Sequence, residues 1–189
     1  MHRFILALSC FLMTFAAPIS AQDFNKGLEA LLSGDFETAL KEWKPLADGG
    51  NSSAQFNTGL LYYNGMGVPL DYKEAAKWFT LAAEQGIAAA QNILGNMYHN
   101  GEGVLQDYKE AVRLYTLAAK QGDADAQSNL GESYAKGEGV LRDFVTAHIW
   151  FNVAAANGNE TGAENREILA KRMTSEDISK AQAMARICM

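Results

Sequence analysis

Few residues in this sequence have the types and spacing that catalysis or metal binding requires. Apart from His2, the histidines are His99 and His148, which lie in different segments. His99 and Glu102 have the i, i+3 spacing that could place two metal ligands on one helix face, but a third ligand is not evident. We interpret them as a solvated pair and His148 as a partly buried helix residue. No serine or cysteine lies in a nucleophile motif, so we predict a non-enzyme with no catalytic residue, metal or cofactor.

Glycine-rich connections are the second feature that could indicate chemistry. The pattern Gly-x-Gly-Val occurs three times, at residues 65–68, 101–104 and 137–140. A phosphate-binding loop would also need a preceding strand and a following Lys-Ser/Thr, and neither is present. The simpler interpretation is a turn in which two glycines adopt left-handed backbone and the valine tucks beneath them.

These connections belong to a repeated segment. Residues 54–86 recur at 90–122 and 126–158 with a constant offset of 36 residues and no gaps, and twelve columns are identical in all three copies. Such a period is typical of a solenoid, in which each unit buries its apolar face only against its neighbours.

Each copy predicts two helices. The first helices are predicted at 54–64, 90–100 and 126–136, and each has a glycine in mid-helix, where glycine costs about 1 kcal/mol relative to alanine. We therefore expect close approach of a neighbouring helix there. The glycines are Gly59, Gly95 and Gly131, and the remaining inward-facing positions are Thr58, Tyr62, Leu94, Tyr98, Leu130 and Tyr134.

The second helix of each copy has its own start and stop signals. Aspartates are predicted as N-caps, glutamates three residues later complete capping boxes in two copies, and glycines end the helices. Aromatic and alanine columns between these signals are predicted to be buried core rather than a cofactor site. The caps are Asp71, Asp107 and Asp143, the glutamates Glu74 and Glu110, and the terminal glycines Gly86, Gly122 and Gly158.

The pattern A-x-x-x-L-G-x-x-Y-x-x-G-x-G-V-x-x-D-x-x-x-A-x-x-W-[FY]-x-x-A-A-x-x-G resembles the Sel-one-like repeat, a relative of the tetratricopeptide repeat. The resemblance covers 54–158, with Thr58 replacing the usual leucine and Leu114 the usual tryptophan. It implies an all-α fold, a right-handed α-solenoid of stacked helix-turn-helix repeats. The expected units are 22–50 (a shorter tetratricopeptide-like pair), 54–89, 90–125, 126–161 and capping helices in 162–189.

The flanking segments fit this plan. In the upstream unit Asp35 is predicted to cap a second helix, and Trp43 takes the role of Phe79. Downstream, 160–172 reads as one more first helix. Thr174 and Asp177 then form a capping box before a polar helix at 178–187, with Cys188 beyond it.

The amino terminus resembles a secretory signal peptide. Arg3 precedes an apolar run over 4–15, which is too short for a membrane-spanning helix, and small residues follow, so cleavage is expected after Ala21. Cys10 lies too early in the run for a lipoprotein signal. Cleavage would leave only Cys188, which excludes an internal disulfide. Together with the family resemblance, this predicts a bacterial protein of the periplasm or secreted beyond it.

Charge and family resemblance together limit the partners. With 16 basic and 22 acidic residues, the chain has a net charge of −6, which argues against nucleic acid and anionic lipid. In related tetratricopeptide arrays, ligands lie in a concave groove formed by the first helices. The matching positions form one helical stripe here, separate from the packing stripe. They are Phe56, Leu60, Tyr63, Asn64, Asn92, Asn96, His99, Asn100, Ser128, Glu132, Ala135 and Lys136.

The expected function is therefore a non-enzymatic adaptor that holds a protein or peptide partner in this groove. The competing interpretation of the groove is that the N-terminal helix pair covers Phe56, Leu60 and Tyr63. The alternative function is an envelope hydrolase or peptidoglycan-binding protein of the cysteine-rich Sel-one-like type. Those relatives carry paired cysteines, which this sequence lacks. The oligomeric state does not follow from the sequence.

Overall fold

The computed structural model describes residues 21–188, with side chains for residues 24–185. Helices and no strands make up this range, which confirms the predicted all-α solenoid. The helices are α1 (Ala21–Leu32), α2 (Phe36–Asp48), α3 (Ser52–Asn64), α4 (Tyr72–Glu84), α5 (Ala88–Asn100), α6 (Tyr108–Lys120), α7 (Ala124–Lys136), α8 (Phe144–Ala156), α9 (Glu160–Ala170) and α10 (Ser175–Cys188).

Consecutive helices pack as pairs, and the pairs stack in chain order. The tightest pairings are α3 with α4, α5 with α6 and α7 with α8, while α2–α3, α4–α5 and α6–α7 join neighbouring pairs. At the carboxyl end the order changes, because α10 folds back onto α8. The core therefore runs continuously along the stack, as a solenoid requires.

The first helices begin two residues earlier than predicted and end where predicted. Asn51 accepts a hydrogen bond from the backbone N–H of Ala54, and Asp123 accepts one from that of Ala126. These caps start the helices at Ser52 and Ala124, ahead of the alanine that begins the repeated segment. Ile87 occupies the same position before α5 without a side-chain cap.

The predicted aspartate caps of the second helices are confirmed, but the capping boxes are not. Asp71 Oδ1 accepts hydrogen bonds from the backbone N–H groups of Lys73 and Glu74. The reciprocal bond, in which the carboxylate of Glu74 would accept from the N–H of Asp71, is absent because that N–H donates to the carbonyl of Tyr62 instead. Glu74 pairs with Lys77 at 3.1 Å.

The same exchange occurs in the next repeat. The N–H of Asp107 donates to the carbonyl of Tyr98, and Glu110 pairs with Arg113. The main-chain bond to the preceding helix thus replaces the predicted glutamate contact in both repeats.

Each mid-helix glycine faces an aromatic ring from the second helix of its own pair. A Cβ on Gly59 would lie 2.8 Å from ring carbons of Phe79, and the equivalent rings at Gly95 and Gly131 are those of Tyr115 and Phe151. Trp43 has this role at Gly27, as predicted for the upstream unit. The expected close approach is confirmed, and its partner is an aromatic side chain.

The second glycine of each loop makes a different close approach. Gly103 has a φ of 70°, which favours glycine, and a Cβ there would overlap the carbonyl of Tyr72, the first residue of α4. Gly67 lies in the same way against Phe36, the first residue of α2. Each loop therefore docks on the start of the second helix in the preceding unit.

A buried glutamine ties neighbouring pairs together. Gln91 is 4% exposed; its Nε2 donates to the carbonyl of Ala83 at 3.0 Å and its Oε1 accepts from Gln121 at 2.8 Å. Gln55 and Gln127 make the equivalent bonds one repeat earlier and later. These bonds give carbonyls near the ends of the second helices a second donor, in addition to the backbone N–H groups of Gly50, Gly86 and Gly122.

Both predicted carboxyl-terminal helices are present, but α9 ends two residues earlier and α10 begins three residues earlier than predicted. Thr174 Oγ1 accepts from the N–H of Asp177 and donates to its carboxylate, as a capping pair. Helix α10 continues through Cys188, so the expectation that Cys188 follows the last helix is wrong. The proposed signal peptide, except Ala21, lies outside the described residues. In the described range, no helix is long and apolar enough to cross a membrane.

Candidate functional site

The predicted groove positions lie on α3, α5 and α7, and we call this set the candidate surface. Burial separates them into three groups. Asn64, Asn100 and Lys136, at the helix ends, are exposed. Partial burial is found for Phe56, Leu60, Tyr63, Asn96, His99, Glu132 and Ala135. Asn92 and Ser128 are buried, at 8% and 6% exposure.

The burial of Asn92 and Ser128 corrects the sequence-based assignment. Both occupy the helical column of Phe56, in the amino-terminal half of their helices. The Oδ1 of Asn92 accepts a hydrogen bond at 2.9 Å from Nδ2 of Asn129 on α7, so the following repeat covers it. Neither residue is accessible to a partner in this arrangement, and the accessible part of the candidate surface lies nearer the helix carboxyl ends.

The α3 end of the candidate surface is aromatic. The ring of Phe56 lies 5.9 Å from that of Phe79, and the ring of Tyr63 lies 5.2 Å from that of Tyr72 and 6.0 Å from Phe79. Phe56, Leu60 and Tyr63 pack against the core cluster that contains α4 and α5 residues. The cluster that joins the N-terminal pair to α3 and α4 does not include them. Phe56, Leu60 and Tyr63 therefore remain partly exposed.

The centre is a polar network that spans two repeats. Nδ2 of Asn129 donates to Oδ1 of Asn96 at 3.1 Å as well as to Asn92. The hydroxyl of Tyr115 donates to the same Asn96 oxygen at 2.8 Å. Burial raises the pKa of Tyr115, with further contributions from the charges of Glu132 and Glu138. The phenol therefore stays protonated and acts as a donor.

Loop glutamates connect each first helix to the following repeat. The hydroxyl of Tyr63 donates to Oε2 of Glu102 at 3.2 Å, and His99 Nε2 lies 3.0 Å from Oε2 of Glu138. Both contacts join residues 39 positions apart. His99 thus pairs with the next loop rather than with Glu102, contrary to the pairing inferred from i, i+3 spacing.

The environment of His99 favours its protonated form. Burial opposes the charge and is the largest single effect on its pKa. The hydrogen bonds to Asn100 and Glu138, together with the charge of Glu138, outweigh burial and raise the pKa of His99. The imidazole also meets the ring of Tyr108 edge-on at 5.1 Å. His99 is therefore a positioned link between repeats.

The carboxyl-terminal end of the candidate surface is charged. Lys136 Nζ lies 2.5 Å from Oε1 of Glu132, and a small cavity of about 190 Å³ opens beside them towards Ile168 and Arg172. A second, polar cavity of about 120 Å³ lies between His99, Tyr115 and Glu132. Each cavity has room for one side chain of a partner.

The candidate surface offers hydrogen bonding and packing and, at Glu132 and Lys136, charged groups. In residues 21–188, no group of three His, Cys, Asp or Glu residues is arranged to hold a metal ion. His148 is 2% exposed and therefore more deeply buried than predicted. No observation in the described range supports the alternative of an envelope hydrolase.

Sequence reasoning missed Tyr115, Asn129 and Glu138 as members of the polar network. Tyr115 belongs to the aromatic column of the second helices that is predicted as core; its ring is buried there, but its hydroxyl reaches the surface network. Glu102 and Glu138 share a loop column in which the first repeat has Met66. The recurrence of an acidic residue in that column was the available signal.

The family model for the Sel1 repeat, the Sel-one-like repeat, matches residues 52–87, 88–123 and 124–159. These segments begin two residues before the copies inferred from the sequence, at the observed helix starts. No curated protein matches the chain. Repeats of this family generally form non-catalytic scaffolds and typically mediate protein interactions.

Solved structures give the same result. A Sel1 repeat protein from Oxalobacter formigenes is 32% identical, with a TM-score of 0.72, covering 88% of this chain and 72% of that one. A protective antigen present in uropathogenic Escherichia coli strains, which displays an SLR fold, is 30% identical with a TM-score of 0.62. The match covers 88% of this chain but only 44% of the antigen. The repeats, the fold and these relatives agree: the chain belongs to the Sel1 repeat family.

Proposed function

We propose that this protein is an exported, periplasmic scaffold that holds a protein or peptide partner along the candidate surface. One observation carries the proposal. The mid-helix glycines, the N-cap aspartates and the packing alanines that hold the stack together are the same in each repeat, whereas the residues on the candidate surface change from aromatic through amide to charged. A surface that varies on a constant frame suits recognition of a partner whose own chemistry changes along its length.

The accessible part of this surface combines features of protein contact sites. Phe56 and Tyr63 offer partly exposed aromatic edges, which are common anchors at interfaces. Asn64 and Asn100 add exposed amides one repeat apart, and Lys136 adds a charged group at the far end. The partner's path would therefore run across the ends of α3, α5 and α7.

Site-specific photocrosslinking in bacteria tests this proposal. A photoreactive residue replaces Asn100 in one variant and Lys109, an exposed residue in the first turn of α6, in the other. We expect defined protein adducts from position 100 and none from position 109. Crosslinks from position 109 alone would place the partner on the second helices and reject the candidate surface.

Substitutions then measure the contribution of the surface to affinity for the crosslinked partner. Asn64→Ala, Asn100→Ala and Lys136→Ala are combined because all three residues are exposed, so the fold should be retained. We expect roughly tenfold or greater weakening, which corresponds to about 1.4 kcal/mol. Lys73→Ala with Lys109→Ala, on the second helices, is the matched control. Tyr63 is left intact because it contacts Phe79 and Glu102.

Export is tested separately. The amino-terminal pattern of 1–21 supports a cleavable signal peptide. We expect the protein in the periplasmic or secreted fraction to begin at Gln22, as shown by amino-terminal sequencing. Retention of residues 1–21 on the exported protein would contradict cleavage, and recovery in the cytoplasm alone would contradict export.

A further inference from the structure

A second recess lies away from the candidate surface, where α9 and α10 meet α8. It is an open cleft of about 610 Å³, within the range of about 300–1,000 Å³ typical of small-molecule sites. Its polar lining consists of Asn152, Arg166 and Gln182, and the rest is alanine. Small side chains leave the volume open, so the polar groups face unfilled space.

Arg166 supplies the charge in this cleft. Its Nη1 donates to Oδ1 of Asn152 at 3.3 Å, and the nearest acidic group is Glu167 at 3.9 Å, whose side chain is 74% exposed. Within the described residues, these are the polar contacts that the guanidinium makes. A guanidinium has five N–H donors, so most of its donors remain available to a ligand.

A partly buried polar relay holds this arginine on one side. Asn152 Nδ2 donates to Nδ1 of His148 at 2.9 Å, while Oδ1 of Asn152 accepts from Arg166. His148 is 2% exposed; burial, then the charge of Arg166, lowers its pKa. A neutral imidazole that accepts at Nδ1 carries its proton on Nε2, so Asn152 can present only its oxygen to Arg166.

The position of His148 in the repeat makes the relay specific to this end of the chain. The same column holds Ala76 in the first repeat and Val112 in the second. In those repeats the next pair stacks in the regular way, whereas α8 is covered by α9 and by the returning α10. The polar relay is thus found where the regular stacking ends and the cleft forms.

We propose that this cleft binds a carboxylate group, borne either by a small organic acid or by the end of a peptide chain. A planar guanidinium pairs with a carboxylate through two parallel hydrogen bonds, a geometry that lysine cannot reproduce. The Gln182 amide provides a further donor at the rim, and Ala155, Ala156 and Ala163 accommodate a short apolar portion. The site uses α8–α10 and is independent of the partner proposed for α3, α5 and α7.

NMR titration of the purified protein tests the site with four probes. Butyrate represents a small organic acid and acetyl-trialanine represents a peptide end; butyramide and acetyl-trialanine amide are their neutral counterparts. We expect saturable shifts of the Arg166 side-chain N–H and the Asn152 and Gln182 amide signals with a carboxylate probe. Affinity should fall about tenfold or more with the matching amide. Saturation by one carboxylate alone identifies which source the cleft accepts.

Variants separate recognition from folding. Arg166→Gln should weaken carboxylate binding about tenfold or more, and Arg166→Lys should recover only part of it because the bidentate geometry is lost. Arg113→Gln on α6 is the control and should bind like the unmodified protein, with helicity measured for all variants. Equal binding of carboxylate and amide, unchanged binding by a folded Arg166→Gln, or no saturable shift with either carboxylate would overturn the proposal.

Discussion

The ring of Phe79 occupies the space beside Gly59 in which a larger residue would place its Cβ. An added Cβ would lie 2.8 Å from two ring carbons, closer than such atoms approach in folded proteins. Glycine in a helix interior costs about 1 kcal/mol relative to alanine. The buried Phe79 ring offsets that cost, which explains why the repeat retains glycine at this position.

Gly59→Ala should therefore destabilise the protein, although helix propensity alone predicts the opposite sign. We expect a loss of about 1–3 kcal/mol from overpacking, measured by urea denaturation. In a Phe79→Leu background the same change should cost much less, because the ring is gone. Stabilisation of the unmodified protein by Gly59→Ala would show that the ring moves aside freely.

Thr58 offers a stabilising substitution. Its side chain is fully buried, and within the described range its hydroxyl has no hydrogen-bond partner. The equivalent positions hold the buried leucines Leu94 and Leu130. Thr58→Val keeps the shape and removes the unpaired hydroxyl, so we expect a gain of about 1 kcal/mol in unfolding free energy.

The matched control is Thr80→Val on α4. Thr80 donates its hydroxyl to the carbonyl of Ala76 at 2.7 Å, so the same chemical change removes a bond there. A gain at position 58 that is no larger than the effect at position 80 would argue against an unpaired hydroxyl at Thr58.

Replacing a buried glutamine with alanine should lower the free energy of unfolding more than replacing an exposed one. Gln91→Ala removes one of two donors to the carbonyl of Ala83, which keeps the N–H of Gly86, and it also removes the acceptor of Gln121. We expect a cost of about 0.5–1.5 kcal/mol per lost hydrogen bond in thermal or urea unfolding. Gln106→Ala, an exposed loop glutamine, should change stability much less. Equal costs at the two positions would mean that water replaces the lost bond at Ala83.

His99 and His148 should affect the stability of the protein in opposite directions as the pH changes. The raised pKa of His99 means that the folded protein binds its proton more tightly than the unfolded chain. Its stabilising contribution is therefore complete below the unfolded pKa of about 6.5 and disappears as pH rises through the folded pKa. His99→Gln should cost more stability at about pH 5 than at about pH 8.

His148 acts in the other direction because its folded pKa is lowered. As the pH falls below about 6.5, His148 is protonated in the unfolded chain at a higher pH than in the folded protein. The folded protein therefore loses stability below about pH 6.5. His148→Gln should flatten that acid-side loss, whatever its effect at neutral pH. Unfolding free energies of the unmodified protein and both variants across this range test the two signs together.

The parts of the fold that sequence predicted are those set by local contacts. Asp71, Asp107 and Asp143 cap helices through backbone N–H groups two and three residues away, so spacing alone reveals them. The failed capping box at Glu74 depended on the Tyr62 carbonyl, which belongs to the preceding helix. Local patterns could not reveal that competitor.

Contacts between repeats were the least predictable part of the candidate site. Asn92 carries the same helical-wheel position as Phe56, yet Asn129 of the next repeat covers it. The wheel describes one helix, whereas burial depends on how far each pair is rotated relative to the next. The His99–Glu138 contact has the same origin, since it joins residues of consecutive repeats.

The docking of Gly67 on Phe36 and of Gly103 on Tyr72 gives the array a direction of growth. The loop of each full repeat contacts the second helix of the preceding unit. The first pair has only a short turn between Leu32 and Phe36. In a duplicated 36-residue block inserted between α4 and α5, the loop would dock on the start of α4. The second helix of the block would in turn contact the loop that follows α5. A block placed ahead of α1 would lack this contact, because the connection between α1 and α2 has no such loop to dock on it.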